Sequence, residues 1–396
     1  MMKLRKNGIN RPLEPIEGGV CAPCGFSACG RENLALIVGE KRFPAAAVFS
    51  QSATLGAPAC VSKRHVKSGY AQAVFINSGK ANVFQEGGEE QAKEICVELA
   101  RLLRCDFREV LVASTGTVTQ SFSNAEILAN LGALISGLGV SHTHSVLASR
   151  AIMTTDKTPK QISFAFSVGD YRCKLGGIYK GGARVCPNMA TTLCFLTTDV
   201  NITPQMLQKA LSAAVNETLN MLDIDGVSSP NDTVCILSSG KAGNYLISEP
   251  DSEYDKFFRA LKDALVAVCE GLIKEDENNS PLYCRVSGAK SKRLARELAK
   301  SVVGSFAIKR DLIAKTVQAE TLLYTLFQAK DPIKTDKLDV FLETCDKEFA
   351  LVSAGRVLSL SQTVLSEVFE SDAFRFRIEL NEGNYGATAF GRIEKE

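Results

Sequence analysis

The residues whose types and spacing could do chemistry lie in one run: Lys180-Gly181-Gly182-Ala183-Arg184-Val185-Cys186-Pro187-Asn188-Met189-Ala190-Thr191-Thr192-Leu193. A Gly-Gly loop passes through Pro187 and enters an apolar stretch that opens on threonine. A hydroxyl at that place is a poor nucleophile unless a base stands beside it. If the peptide bond between Ala190 and Thr191 is cut, the new α-amino group of Thr191 is that base, and its pKa of about 7.7–8.0 suits neutral pH. The same hydroxyl could make the cut: it attacks the Ala190 carbonyl, and water hydrolyses the ester that forms. Threonines that open strands are ordinary, so on spacing alone a plain structural threonine is the commoner reading.

Other chemistries find less support. Ser78-Gly79-Lys80-Ala81 and Ser239-Gly240-Lys241-Ala242 lack the earlier glycine and the final hydroxyl of a phosphate-binding loop. No G-x-G-x-x-G follows a strand, no H-E-x-x-H occurs, and no G-x-S-x-G elbow accompanies His65, His142 and His144. Cys21-x-x-Cys24, with Cys29 nearby, has metal-like spacing, but zinc needs a fourth ligand. Ordinary small loop residues are the competing reading, and no metal is expected.

The elements that must position the candidate run alternate between strand and helix. Ala71–Asn77 is β-rich and ends in Ser78-Gly79. Glu90–Leu103 has helical spacing, with Ile95, Leu99, Leu102 and Leu103 on one face. Val110–Ala113 is a short strand that stops at Ser114-Thr115-Gly116, and a helix is expected near Asn124–Leu134. Ile162, Phe164, Phe166 and Val168 alternate, and Gly169-Asp170 turns the chain into Tyr171–Leu175 as a hairpin. Thr191–Thr198 reads as a buried strand, and Thr203-Pro204 caps and opens the next helix. Further on, helices are expected over Tyr254–Leu272 and Ser291–Val303, and strands over Leu282–Val286, Arg356–Leu360 and Phe374–Leu380. The polar stretch Glu275–Ser280 is the expected boundary, near residue 276, with a C-terminal domain over 277–396. No internal repeat is visible.

Bulk properties narrow the function. With 396 residues, 45% of them hydrophobic, the chain can bury full cores in about two domains. The 46 basic and 44 acidic residues leave a net charge of +2, which gives no reason to expect nucleic acid or an anionic membrane. No apolar run approaches the roughly 20 residues needed to span a bilayer. The polar start, Met1–Gly19, lacks the apolar core of a secretory signal. Of the 13 cysteines, Cys96, Cys194, Cys235 and Cys269 sit in apolar runs, which suits reduced core thiols in a cytoplasmic protein.

The candidate run closely resembles the processing site of the ornithine acetyltransferase (ArgJ) family, the bifunctional glutamate N-acetyltransferases of arginine biosynthesis. The family's pattern is K-G-S-G-M-x-x-P-N-M-A-T-M-L. Further blocks resemble the family in the same order: Ile76–Asn82 its V-N-S-G-N-A-N, Ala113–Val118 its S-T-G-V-I, and Ile152–Lys160 its I-M-T-T-D-T-x-P-K. Asp225-Gly226 with Ser228, Ser229 and Asn231-Asp232-Thr233 is similar in part to V-D-G-D-T-S-T-N-D-T. Val286–Ser291 and Gly383–Gly391 resemble two later blocks. The resemblance runs from about Gly18 to Gly391, and the ordered set is far more specific than any single block.

The resemblance implies an α/β layered sandwich, the N-terminal-nucleophile-like ArgJ/DmpA-type fold, with a smaller C-terminal α/β domain. It implies a nucleophile, Thr191, released by a cut after Ala190, and an oxyanion hole made by Thr115 and Gly116. Thr154, Lys180 and Thr191 would bind the amino-acid substrate, joined by an acidic residue at Asp276 or Glu277. The expected reaction moves acetyl from N-acetylornithine to glutamate through acetyl-Thr191. No cofactor is implied, although some members take acetyl-CoA as a second acetyl donor. The expected assembly is a dimer of αβ units, with an α chain of residues 1–190 and a β chain of 191–396.

The sequence departs from the family at four places. Gly182-Ala183-Arg184 replaces S-G-M, and Val227 replaces an Asp. Arg310–Val317 stands where D-P-N-W-G-R is expected, and the usual tail after Gly391 is missing. These departures bear on substrate identity more than on acyl transfer. Two other readings are therefore kept: a self-processing amidohydrolase that uses another acyl donor, and a non-catalytic paralogue of the same fold. Cleavage without acetyl exchange marks the first, and an intact chain marks the second.

Overall fold

The computed structural model describes residues 13–118, 123–181, 192–276 and 278–394. Ala190, Thr191 and Glu277 lie outside the described residues. The chain divides into two compact units. One runs through Asn216 and resumes over Val227–Val268; the other holds Glu217–Gly226 and everything from Cys269 on.

The first unit contains β1 (Glu14–Pro15), β2 (Phe26–Arg31), β3 (Leu34–Phe49), α1 (Ala57–His65), β4 (Tyr70–Asn77), α2 (Gly88–Leu103) and β5 (Val110–Ser114). It continues with α3 (Ala125–Ser136), α4 (His142–Ala151), β6 (Lys160–Val168), β7 (Tyr171–Lys180), β8 (Leu193–Thr198), α5 (Pro204–Glu217), β9 (Thr233–Ser238) and the start of α6 (Ser252–Ile273). The strands pair in the order β1-β6-β7-β8-β9-β3-β4-β5, with β2 also on β3. Sixteen residues long, β3 changes partners along its length: Leu34–Val38 pair with β4, whereas Ala45–Phe49 pair with β9. The ladder is irregular between Val38 and Phe43, where the chain reads Gly39-Glu40-Lys41-Arg42.

Period-two alternation then builds two cores. Ala35, Ile37, Val74, Ile76, Leu111 and Ala113 point into one, with Ile178, Leu193, Phe195, Cys235 and Leu237. Leu34, Leu36, Ala73, Phe75, Val110 and Val112 point into the other, under Ile95 and Leu99 of α2 and Leu131 and Leu134 of α3. Every residue of β8 and β9 is buried, as expected of parallel neighbours covered on both faces. The expected α/β class is thus observed, as a layered arrangement.

The outer edge of β5 is closed by side chains from α1. Ser62 Oγ donates to Val112 O at 2.6 Å and accepts from Val112 N at 2.7 Å, and His65 Nδ1 lies 2.8 Å from Val110 O. A sheet edge is thereby satisfied without another strand. It also fixes the strand that delivers Thr115.

The second unit contains the rest of α6, then β10 (Ser280–Ala289), α7 (Lys292–Gly304), α8 (Phe306–Ile313), α9 (Ala319–Leu326), β11 (Asp339–Glu343), β12 (Glu348–Ser353), β13 (Arg356–Val357), α10 (Gln362–Val368), β14 (Phe374–Glu379) and β15 (Tyr385–Ile393). Its strands pair in the order β13-β12-β11-β14-β10-β15. Ser291 caps α7 by accepting from Leu294 N at 3.2 Å. The strand expected at Arg356–Leu360 shrinks to the two residues of β13, followed by one further bond to β12, from Leu358 N to Leu351 O at 2.9 Å. No helix among the described residues is long and apolar enough to cross a membrane.

Candidate functional site

Parallel β4 and β5 end side by side, with Asn77 beside Ser114. Beyond them two loops zip together. Thr115 N donates to Asn77 O at 2.8 Å, Thr117 N to Gly79 O at 3.3 Å, and Ala81 N to Thr117 O at 3.0 Å. The Asn77 side chain stiffens its own loop, accepting from Gly79 N and donating to Lys80 O, each at 2.9 Å. Ser78 Oγ ties the loop to Ala151 O at 2.6 Å.

Gly116 has φ +115°, and a Cβ there would stand 2.5 Å from both Ser78 O and Gly79 O. Only glycine lets the two loops approach this closely. The Thr115 amide is already committed to Asn77, so the groups left to meet a ligand are the Thr115 hydroxyl and the Gly116 N–H. Neither has a hydrogen-bond partner among the described residues. Two donors at a turn held by backbone bonds are what a developing oxyanion needs.

The structure brings Thr154 and Lys180 together through a residue that sequence reasoning passed over. Asp156, with a fully buried side chain, accepts from Lys160 Nζ at 2.9 Å and Gly181 N at 3.0 Å on Oδ1, and from Thr154 N at 3.1 Å on Oδ2. Lys180 Nζ lies 3.4 Å from Oδ2 and donates to the Thr154 hydroxyl. Both lysine side chains are less than a tenth exposed (6% for Lys160, 4% for Lys180). Burial pushes the Asp156 carboxyl up, but Lys180 and Lys160 outweigh it and hold the pKa at about 2.

Lys180 closes β7, directly across the ladder from Leu193, where β8 begins. Thr192, bonded in sequence to the candidate nucleophile, is held by another buried carboxylate. Its N donates to Asp232 Oδ1 at 2.6 Å, while Ser229 N reaches Oδ2 at 3.3 Å. Burial raises the Asp232 pKa well above the ordinary carboxylate value, and these two amides oppose the rise. The preceding Asn231 Nδ2 donates to Ala81 O at 2.6 Å. Asn231-Asp232 therefore ties the entry of β8 to the loop zipped against Thr115–Thr117.

Asp276 lies in the other unit, in the turn between α6 and β10, where its Oδ1 accepts from Asn278 N at 3.0 Å. Asp156, Lys160, Asn231 and Asp232 all stood inside recognised sequence blocks, so a signal was present; burial and bonding give these residues their roles, and a sequence does not display them. Among the described residues no three His, Cys, Asp or Glu side chains gather to hold a metal ion. A groove of about 750 Å³ along Phe49, Gln51, Lys63, Lys67 and Gln208 contains none of the candidate residues.

A layered α/β protein with two donors at a glycine turn that lack partners among the described residues, and a buried lysine across from a strand that follows two threonines, suits an acyl-transferring enzyme. Comparison with known proteins agrees: the chain belongs to the ArgJ family, whose model matches residues 20–392. It is 30% identical over 389 residues to the arginine biosynthesis bifunctional protein ArgJ of Caldanaerobacter subterraneus subsp. tengcongensis, covering 96% of each chain. It is 31% identical over 395 residues to a glutamate N-acetyltransferase of Methanocaldococcus jannaschii, again covering 96% of each. Among solved structures it is similar to ornithine acetyltransferase complexed with ornithine from Mycobacterium tuberculosis, at 26% identity and a TM-score of 0.40, over 43% of this chain and 95% of that one.

Proposed function

We propose that the protein is a self-processing acetyltransferase of arginine biosynthesis that moves acetyl from N-acetylornithine to glutamate. The observation that carries the reading is the juxtaposition at the start of β8. Lys180 pairs with Leu193, Thr192 is anchored on Asp232, and Asn231 ties that anchor to the loop zipped against Thr115 and Gly116.

In the first half-reaction the Thr191 hydroxyl attacks the acetyl carbonyl of N-acetylornithine, and its proton passes to the Thr191 α-amino group. The Thr115 hydroxyl and Gly116 N–H stabilise the oxyanion; one such donor contributes roughly 3–4 kcal/mol. The C–N bond then breaks, the proton goes to the departing α-nitrogen, and ornithine leaves. The glutamate amine attacks the acetyl ester, returning Thr191 to its starting state. Lys180, an ammonium with a hydroxyl neighbour in Thr154, suits a substrate carboxylate.

The cut after Ala190 would leave an α chain, Met1–Ala190, and a β chain, Thr191–Glu396, paired as a dimer of αβ units in the cytoplasm. The chemistry asks for no metal or resident cofactor, and acetyl-CoA would serve as a second donor to the same ester. The test is acetyl exchange between N-acetylornithine and isotopically labelled glutamate by the purified protein, with denaturing electrophoresis alongside. Exchange by a two-fragment protein is expected; a single uncut 42.7 kDa band without exchange would overturn the reading.

A further inference from the structure

The Ile152–Lys160 block contributes a carboxylate whose contacts reach beyond its own loop. We propose that Asp156 is a positioning residue that sets the direction of the Lys180 ammonium toward the substrate. This rests on the reading of Lys180 as a substrate residue.

The geometry is specific. Both oxygens of Asp156 are used twice: Oδ1 takes Lys160 Nζ and Gly181 N, and Oδ2 takes Thr154 N and Lys180 Nζ. The Gly181 and Thr154 amides hold the carboxylate group in place from two segments, and Lys160 balances it on the far oxygen. Lys180 therefore meets a fixed partner, with the Thr154 hydroxyl as its second restraint. A four-carbon side chain carries several rotatable bonds, and its ammonium is a point charge without the directional fork of arginine. Its aim must come from its neighbours, and Asp156 is an anionic one among the described residues. With its pKa held at about 2, Asp156 stays ionised across the working range. It touches no reacting atom on this account, so its effect should fall on binding.

The experiment compares wild type, K180M, D156N and D156E in the acetyl-exchange assay, with melting curves to check folding. K180M should raise KM for the amino-acid substrate by about tenfold or more, as expected for loss of a charged anchor. D156N should raise KM to a similar extent, with kcat within about threefold of wild type. Its KM should also rise further between about pH 7 and 9, because a buried ammonium stripped of its carboxylate loses its proton more readily. D156E, which keeps the charge, should lack that pH limb.

If K180M leaves KM unchanged, the reading of Lys180 fails and the proposal fails with it. If K180M raises KM and D156N does not, the proposal alone is overturned. Should D156N not fold, D156N/K180M removes Asp156 and Lys180 together, so that of the three buried charges only Lys160 is left and the surplus positive charge that D156N alone creates is avoided. Its KM should match that of K180M within about threefold, because the two residues act as one unit; a further tenfold loss would show that Asp156 serves something else.

Discussion

Replacing Gly116 by alanine tests the paired-loop geometry most severely. The added Cβ would stand 2.5 Å from two backbone carbonyl oxygens, Ser78 O and Gly79 O, neither of which can swing aside as a flexible side chain can. At φ +115° an L residue also leaves the left-handed well, at a cost on the order of 1–3 kcal/mol. The loops must separate by roughly half an ångström or more to relieve the contact, and that moves the Gly116 N–H and the Thr115 hydroxyl together. Losing one aligned oxyanion donor costs about 2.7–4 kcal/mol, so kcat should fall roughly 10²- to 10³-fold. The assay is single-substrate-saturated acetyl exchange, with the cleaved fraction read by mass and the melting temperature measured alongside. A stability loss on the order of 1–3 kcal/mol should lower Tm by several degrees at most. G116A with kcat within about threefold of wild type would refute the argument that this turn supplies the oxyanion donors.

Other substitutions probe the supports. S62A strands both Val112 N and Val112 O at the β5 edge and should cost about 2–6 kcal/mol in urea unfolding, since each unsatisfied buried group costs roughly 1–3 kcal/mol; a loss under about 1 kcal/mol would contradict the edge-capping account. Asp156 has a folded pKa depressed to about 2, so its contribution is complete above the unfolded value of about 3.9 and is lost as pH falls toward 2. The stability gap between wild type and D156N should therefore narrow by about 2 kcal/mol across that window, measured by denaturation down to the lowest pH at which both fold; a constant gap would contradict it. Asp232 has a raised pKa, so the sign reverses: wild type loses stability as pH climbs from about 4 through the raised value. D232N lacks that slope and should gain on wild type from pH 4 to pH 8, so parallel pH profiles would count against a buried, uptitrated carboxylate.

Much of the first unit was legible because its signals are local. The β6–β7 hairpin announces itself through Gly169-Asp170, and β4 and β5 through short apolar runs stopped by Ser-Gly and Ser-Thr-Gly. Thr203 Oγ1 caps Met206 N at 3.3 Å as the Thr-Pro pair implies. By contrast, β3 was missed because one strand serves two sets of partners, and Gly39–Arg42 interrupts its apolar pattern where it changes them. The Arg310–Val317 stretch read only as a departure from the family pattern, although Phe306–Ile313 forms α8, capped by Ser305 Oγ on Ile308 N at 3.3 Å.

In the candidate site, the oxyanion pair and Lys180 were named from ordered blocks. The carboxylates behind them were not, because nothing in Asp156 or Asp232 as letters distinguishes a buried anchor from a solvated surface acid. Two segments converge on Asp156, its own loop and the end of β7, and only the fold brings Thr154 and Gly181 to one side chain.

The most direct test of the central claim is the intact mass of the purified protein before and after incubation with N-acetylornithine alone. The account predicts two fragments divided between Ala190 and Thr191, with the mass of one acetyl group added to the fragment that begins at Thr191 and removed again by glutamate. An undivided chain, or an acetyl group carried elsewhere while T191A still exchanges acetyl, would contradict it.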